Sequence, residues 1–363
     1  MTNRVYNFGA GPAMLPISVM EKAQAEFLDF NGMGASVIEI SHRSKEFEAL
    51  LAETDTLFKE LTSLPENYRI LYVHGGARMQ FSAIPMNLIA RSPSRKAIYV
   101  ESGDFAKIAR KEAERYGKID VIASSADTKY DRIPAFDVSK IDQDAAYFHI
   151  TGNNTIYGTR WQQFPETGNV PLVADFTSEM LSRVVDFSKF GIAYAGLQKN
   201  LGPSGVAVVV IREDLLGHAI PETPTLLDYA QYEKDHSMTN TINTFAIYMM
   251  KLVLEWFKEL GGIAALEKIN VQKANILYDL LDNSGFYKAV SHPDHRSIMT
   301  VTFNLPSEDL LAKFLKDALK QGLYALKGHR NAGGVRASIY NAMPVAGVNA
   351  LADFMKEFER QNG

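Results

Sequence analysis

Cysteine is absent from all 363 residues. That absence excludes disulfides, thiolate-held metals and a cysteine nucleophile. Charge of one sign is also lacking: 38 Lys and Arg stand against 42 Asp and Glu, a formal net charge of −4, and no basic tract interrupts the chain. The bulk electrostatic footprint of a nucleic-acid binder is therefore missing, although that total leaves room for a local basic pocket. No apolar run approaches the roughly 20 residues that cross a bilayer. The opening Met1-Thr2-Asn3-Arg4-Val5-Tyr6-Asn7 has no apolar core of the kind a secretory signal needs. The expected setting is in solution in the cytoplasm, with neither nucleic acid nor membrane as partner. Asn153-Asn154-Thr155 fits a glycosylation acceptor, but without a signal peptide the match reads as chance. No internal repeat or low-complexity linker occurs.

Hydrophobic residues make up 46% and charged residues 22%, an ordinary globular balance. Domains run to roughly 100–200 residues, so a chain of this length predicts two of them. Short apolar runs at 70–73, 97–100, 119–122, 145–150, 170–174 and 206–211 read as buried strands. They are nearly continuous rather than alternating, which suits a parallel sheet covered on both faces. Helix candidates such as 79–90 and 105–116 lie between them, and this βαβ rhythm predicts an α/β domain. Two helical stretches follow, 245–260 and 263–281, parted by Gly261-Gly262, a plausible helix stop and domain boundary. Beyond them the pattern changes to strand 297–304, helix 307–321, strand 335–340 and helix 348–361, a smaller α+β unit. The expected division is an N-terminal segment over 1–16, a large domain over 17–260 and a small domain over 261–363.

Three places could carry chemistry. Lys199 sits in Tyr194-Ala195-Gly196-Leu197-Gln198-Lys199-Asn200-Leu201-Gly202-Pro203-Ser204-Gly205, among small and apolar neighbours just ahead of a strand. A lysine sheltered in this way loses its proton readily and can act as an amine nucleophile or Schiff-base former. Taken alone it reads more readily as a loop lysine, as most lysines are. Asp175 ends the apolar run Pro171-Leu172-Val173-Ala174-Asp175, where ligand crevices of α/β sheets form. A pyridinium nitrogen needs such a carboxylate partner, though helix capping explains a strand-end Asp as well. The third place is His74-Gly75-Gly76-Ala77-Arg78, glycines between a strand and a helix start, a phosphate cup in outline. It matches neither the Walker pattern nor the dinucleotide fingerprint. Gly9-Ala10-Gly11-Pro12 is too short and wrongly placed to be a dinucleotide loop.

Cup, acid and lysine together are the three contacts that pyridoxal phosphate requires. Ile40-Ser41-His42-Arg43, His74-Gly75-Gly76, Asp175-Phe176-Thr177-Ser178, Gln198-Lys199-Asn200 and Gly328-His329-Arg330, with Val335-Arg336-Ala337-Ser338-Ile339-Tyr340-Asn341, resemble the phosphoserine aminotransferases. These are class-V aminotransferases and fold-type I pyridoxal-phosphate enzymes. The opening Asn7-Phe8-Gly9-Ala10-Gly11-Pro12-Ala13-Met14-Leu15-Pro16 resembles that family's start, so the likeness runs nearly end to end.

The resemblance implies an aspartate-aminotransferase-like fold. Its large cofactor domain would have a mostly parallel mixed sheet sandwiched by helices, beside a smaller C-terminal α+β domain. It implies that Lys199 carries the cofactor as a Schiff base and then moves the proton from substrate Cα, while Asp175 pairs with the pyridine nitrogen. Thr155 would meet the ring hydroxyl, and Phe105 would cover the ring where a tryptophan is found in the family. Ala77, which replaces a frequent glycine, would hold the phosphate together with Arg78 and Gln198. Asn240 and Thr241 would complete the cup from the other subunit of a homodimer. Arg336 would bind the substrate α-carboxylate as a bidentate fork. His42, Arg43, His329 and Arg330 would form the cluster for a second anion, with His42 and Arg43 from the partner subunit.

The implied activity is reversible amino transfer from L-glutamate to 3-phosphohydroxypyruvate, giving 2-oxoglutarate and O-phospho-L-serine. It serves L-serine biosynthesis and, on a related phosphorylated keto acid, pyridoxine biosynthesis. The competing readings are an aminotransferase for unphosphorylated acids of the alanine–glyoxylate type, against which the His-Arg pairs argue, and a nicotinamide-dependent oxidoreductase, which lacks its glycine fingerprint. No metal site is expected. His292-Pro293-Asp294-His295 reads as turn residues.

Overall fold

The computed structural model describes residues 4–363. A seven-stranded sheet runs in the order Tyr68–His74, Val206–Arg212, Ile192–Gly196, Leu172–Asp175, Phe148–Thr151, Lys96–Glu101, Lys118–Ser124. Val206–Arg212 is antiparallel to both neighbours, and the remaining pairs are parallel. Alternate residues of one strand enter different cores. Ile70, Tyr72, Phe148, Ile150, Val208 and Val210 pack with helices Lys45–Thr62 and Thr244–Glu259. Leu71, Val73, Tyr147, Tyr194, Ala207 and Val209 pack on the other face, with helices Ala77–Leu88 and Asp104–Ala113. Burial on both faces is why these strands read as continuous apolar runs.

Two expectations need correction. Lys118–Ser124 is no buried strand: it pairs on one side only, and Val121 is 41% exposed. Its polar residues suit an edge, where Asp120 meets Lys96 at 2.9 Å. Ile192–Gly196 was not legible as a strand, because Ala193, Ala195 and Gly196 carry little strand propensity. It forms because it is locked between two neighbours and fully buried. The helices Ile17–Ala25 and Lys45–Thr62 also lie where the sequence reading assigned no element. Lys45–Thr62 is capped by Ser44, whose hydroxyl accepts from the Phe47 N–H at 3.3 Å.

A second core surrounds the antiparallel sheet Lys288–Ala289, Thr300–Asn304 and Val335–Ser338, covered by helices Glu308–Lys320 and Val345–Asn362. The strand expected over 335–340 stops at Ser338. The helix after Gly261-Gly262 packs with both cores. Ile263 and Leu266, at the start of helix Gly262–Asn283, pack with the first core, whereas Ala274, Leu277 and Leu281 pack with the second. The N-terminal strand Tyr6–Asn7 pairs in parallel with Leu323–Tyr324, and Phe8 is buried in the second core. No helix among the described residues is long and apolar enough to cross a membrane.

Candidate active site

Parallel strands leave their crevice at the carboxyl ends. Here Thr151 and Asp175 end as register partners, with Tyr194 beside Asp175 on the next strand. A cavity of about 530 Å³ opens at that point. Asp175 is buried, and its Oδ1 accepts from the Thr177 N–H at 2.9 Å. Burial pushes its carboxyl up, while Thr177 and the Lys199 cation act against the shift.

Lys199 lies in the turn between Ile192–Gly196 and Val206–Arg212, which the bonds from Leu201 and Gly202 N–H to Leu197 O hold at 3.0 and 2.9 Å. Its Nζ stands 5.6 Å from the centroid of the Phe105 ring. Burial pulls the amine down to about 8; Asp175 opposes that pull and Arg336 adds to it. The N-terminal segment closes one side, since Ala13 N–H donates to Gln198 O at 2.8 Å. Position 11 favours glycine because its φ is +137°, a conformation that strains other residues; a Cβ there would be in ordinary contact with Lys199 Cγ at 3.4 Å.

Helix Ala77–Leu88 starts on the cavity wall. Gly75 and Gly76, with φ of 90° and 77°, swing the chain out of strand Tyr68–His74 and into the helix. The N–H groups of Ala77 and Arg78 consequently have no acceptor among the described residues, and the helix dipole favours an anion there. The opposite contribution comes from the second core, which sends in His329 and Arg336. Arg336 has no carboxylate partner among the described residues, and burial pulls its guanidinium down. Burial also lowers the His329 imidazole, with Arg336 adding to the effect. The loop holding His329 is moored to the start of helix Asp104–Ala113, because Asn331 Nδ2 donates to Asp104 Oδ2 at 2.7 Å, next to Phe105.

Of the candidates from the sequence, the cavity brings together Ala77, Arg78, Phe105, Thr155, Asp175, Gln198, Lys199, His329 and Arg336. His42, Arg43, Asn240, Thr241 and Arg330 do not line it. His42 Nε2 and Asn240 Oδ1 are buried without a hydrogen-bond partner among the described residues. Arg43 and Arg330 are exposed. Lining residues without an assigned role include Ala10, Gly11, Pro12, Thr151, Asn153, Thr177, Ser178, Ser204 and Gly205. Thr177 and Ser178 follow Asp175 directly, so adjacency was the signal for them. Thr151 carried none, yet its hydroxyl is buried against the cavity without a partner among the described residues. A larger groove of about 670 Å³ runs between the N-terminal segment, Trp256, Leu266 and Met343, but it is mainly apolar and gathers none of these groups.

This donor set fits a phosphorylated pyridine aldehyde: unpaired N–H groups at a helix start, a buried carboxylate, an aromatic face, free hydroxyls and a deprotonable amine. Residues 5–351 match the family model described as aminotransferase class-V. A phosphoserine aminotransferase of Bacillus cereus is 49% identical over 359 residues, covering 99% of each chain. One from Desulfosudis oleivorans is 50% identical over 365 residues, covering 100% of each. This chain belongs to the phosphoserine aminotransferases. The solved phosphoserine aminotransferase of Bacillus circulans subsp. alkalophilus superposes with a TM-score of 0.96 at 44% identity, with 100% of both chains covered. That of Trichomonas vaginalis, described as bound to pyridoxal phosphate, has a TM-score of 0.92 at 38% identity over 97% of this chain and 100% of that one. An alanine–glyoxylate aminotransferase of Nostoc, at 17% identity and a TM-score of 0.76 over 99% of this chain and 96% of that one, shares the fold alone.

The turn-residue reading of 292–295 agrees with the short 3-10 turn Pro293–His295, and no metal-binding cluster occurs among the described residues. Asn153, Asn154 and Thr155 are all buried, which closes that triplet to a glycan.

Proposed function

We propose that this chain transfers an amino group reversibly from L-glutamate to 3-phosphohydroxypyruvate, using pyridoxal phosphate held on Lys199. The observation that carries the reading is the meeting of Lys199, Asp175, the free Ala77 and Arg78 N–H groups and Arg336 in one cavity, in a chain of this family. Pyridoxal phosphate, when bound, supplies a carbonyl that exchanges for the amino group and a ring that draws electron density from the reacting carbon.

The protein's own part is to bind, orient and move protons. Ala77 and Arg78 N–H groups with Gln198 would hold the cofactor phosphate, and Asp175 would keep the ring nitrogen protonated. Phe105 would cover one ring face, with Thr155 and Thr151 hydroxyls open to ring substituents. An amine pulled down to about 8 is partly neutral at physiological pH, so Lys199 Nζ would be able to take the proton from substrate Cα and hold it for return. Arg336 would grip the substrate α-carboxylate through two parallel N–H bonds. His329 and Arg330 would meet the phosphate ester or the glutamate side-chain carboxylate.

A homodimer completes this site. Unpartnered polar atoms at His42 and Asn240, and exposed apolar side chains at Ile17, Leu28, Met33 and Ile38, support a second copy packing over this part of the chain. It would bring the partner subunit's His42, Arg43, Asn240 and Thr241 to the cavity. Work in the cytoplasm, in the biosynthesis of L-serine and of pyridoxine, follows from that activity.

The test is a half-reaction. O-phospho-L-serine should bleach the yellow holoenzyme far more readily than L-serine or L-alanine. Bleaching by alanine but not by phosphoserine would keep the cofactor and overturn the substrate.

A further inference from the structure

Helix Gly262–Asn283 carries a lysine with no acid beside it. Lys273 is 0% exposed, and no carboxylate pairs with it among the described residues. Its Nζ instead donates to Tyr340 O at 2.8 Å, Ile339 O at 3.0 Å and Met343 O at 3.1 Å, with Asn341 O at 3.5 Å. Three short bonds match the three protons of an ammonium. A buried cation persists only where its protons are met in this way.

Those carbonyls belong to the segment 339–343, which begins where strand Val335–Ser338 ends and leads into helix Val345–Asn362. Arg336 lies on that strand, three residues ahead of the first carbonyl. The same segment reaches the Lys199 turn, because Asn341 N–H donates to Asn200 Oδ1 at 3.2 Å. It reaches the cavity wall too, through the Tyr340 hydroxyl on Ala10 O at 2.8 Å. Asn270, one turn before Lys273 on the helix, donates to Asn341 Oδ1 and to Ser182 O, both at 2.9 Å. One helix face therefore pins a single irregular segment that touches both halves of the site.

We propose that Lys273 is a positioning residue for the substrate-carboxylate site, gathering the carbonyls of 339–343 so that Arg336 stands at a fixed place relative to Lys199. It rests on the reading of Arg336 as the carboxylate fork. No proton or substrate contact passes through Lys273. Its effect is on geometry alone, carried by a contiguous set of hydrogen bonds.

The test is a double-mutant cycle in the holoenzyme with Lys273→Met, Arg336→Gln and both together. Stopped-flow bleaching by O-phospho-L-serine gives an apparent Kd and a limiting rate for each. Arg336→Gln should weaken binding about a hundredfold, and Lys273→Met about tenfold with a limiting rate changed by less than about threefold. In the Arg336→Gln background Lys273→Met should cost nothing further. Phosphoethanolamine, which lacks the carboxylate, should inhibit wild type and Lys273→Met equally; a merely structural defect would weaken it too. Losses that multiply, or an equal loss for phosphoethanolamine, overturn the proposal while leaving Arg336 its role. An Arg336→Gln enzyme of normal affinity overturns both. If Lys273→Met does not yield folded holoenzyme, Lys273→Gln, which keeps two N–H donors, carries the same cycle.

Discussion

The cavity floor and the seam between the two cores each withhold water from a lysine, and the chain treats the two amines in opposite ways. The Lys199 amine makes no hydrogen bond among the described residues, faces an aromatic ring at 5.6 Å, and opens on a space of about 530 Å³. Lys273 is enclosed by backbone carbonyls. Burial pulls both amines down, Lys199 to about 8 and Lys273 to about 7. The difference lies in partners rather than in charge: a lysine left short of them is available for chemistry, whereas one whose N–H groups are taken up by carbonyls is a structural donor.

The largest break between the two should come from truncation. Lys199→Ala should lower turnover by about a thousandfold or more, read as steady-state phosphoserine formation; a loss below tenfold would remove Lys199 from the chemistry. Next comes Asp175→Asn, which keeps the shape but not the charge and should slow the half-reaction about a hundredfold, measured by stopped flow. A smaller effect separates the lysines directly. Apo protein treated with pyridoxal and borohydride should be labelled at Lys199, with a rate rising about tenfold from pH 7 to 9 as the amine loses its proton near 8. Peptide mapping should find Lys273 unmodified, and labelling there would break the comparison.

Stability should move in opposite senses. Lys273→Met orphans buried carbonyls and should destabilise the protein by about 2–4 kcal/mol, measured by urea unfolding. Lys199→Met should raise the Tm of the apo protein by roughly 1–4 °C. Burial penalises both charged amines, but removing Lys199 orphans no carbonyl, so only the penalty is relieved: a folded amine near 8 stands against 10.5 unfolded. That penalty is fully present below pH 8 and fades towards 10.5. The smallest effect expected is Phe105→Leu, a loss of about threefold in affinity for pyridoxal phosphate, because the apolar cover survives without the ring.

Much of the site was legible because its parts are local. A glycine pair before a helix start, an acid at a strand end and a lysine among small residues each announce themselves within a few positions. The strand Ile192–Gly196 was not legible, since alanine and glycine hold a strand only when neighbours impose it. Nor was Thr151, an ordinary strand threonine until the register set it beside Asp175. Lys273 reads in the sequence as one more helical lysine; only the packing of its helix against 339–343 removes it from water.

The sequence by itself determined the α/β class, the order of phosphate cup, carboxylate and lysine along the chain, and the family. Each is written in short-range pattern or in whole-chain similarity. Only the tertiary structure decided which of those residues share one cavity, that the N-terminal segment walls it, and that Arg336 reaches it from a second core. Such facts depend on contacts between residues more than a hundred positions apart, which strand register and helix packing set and no local pattern encodes.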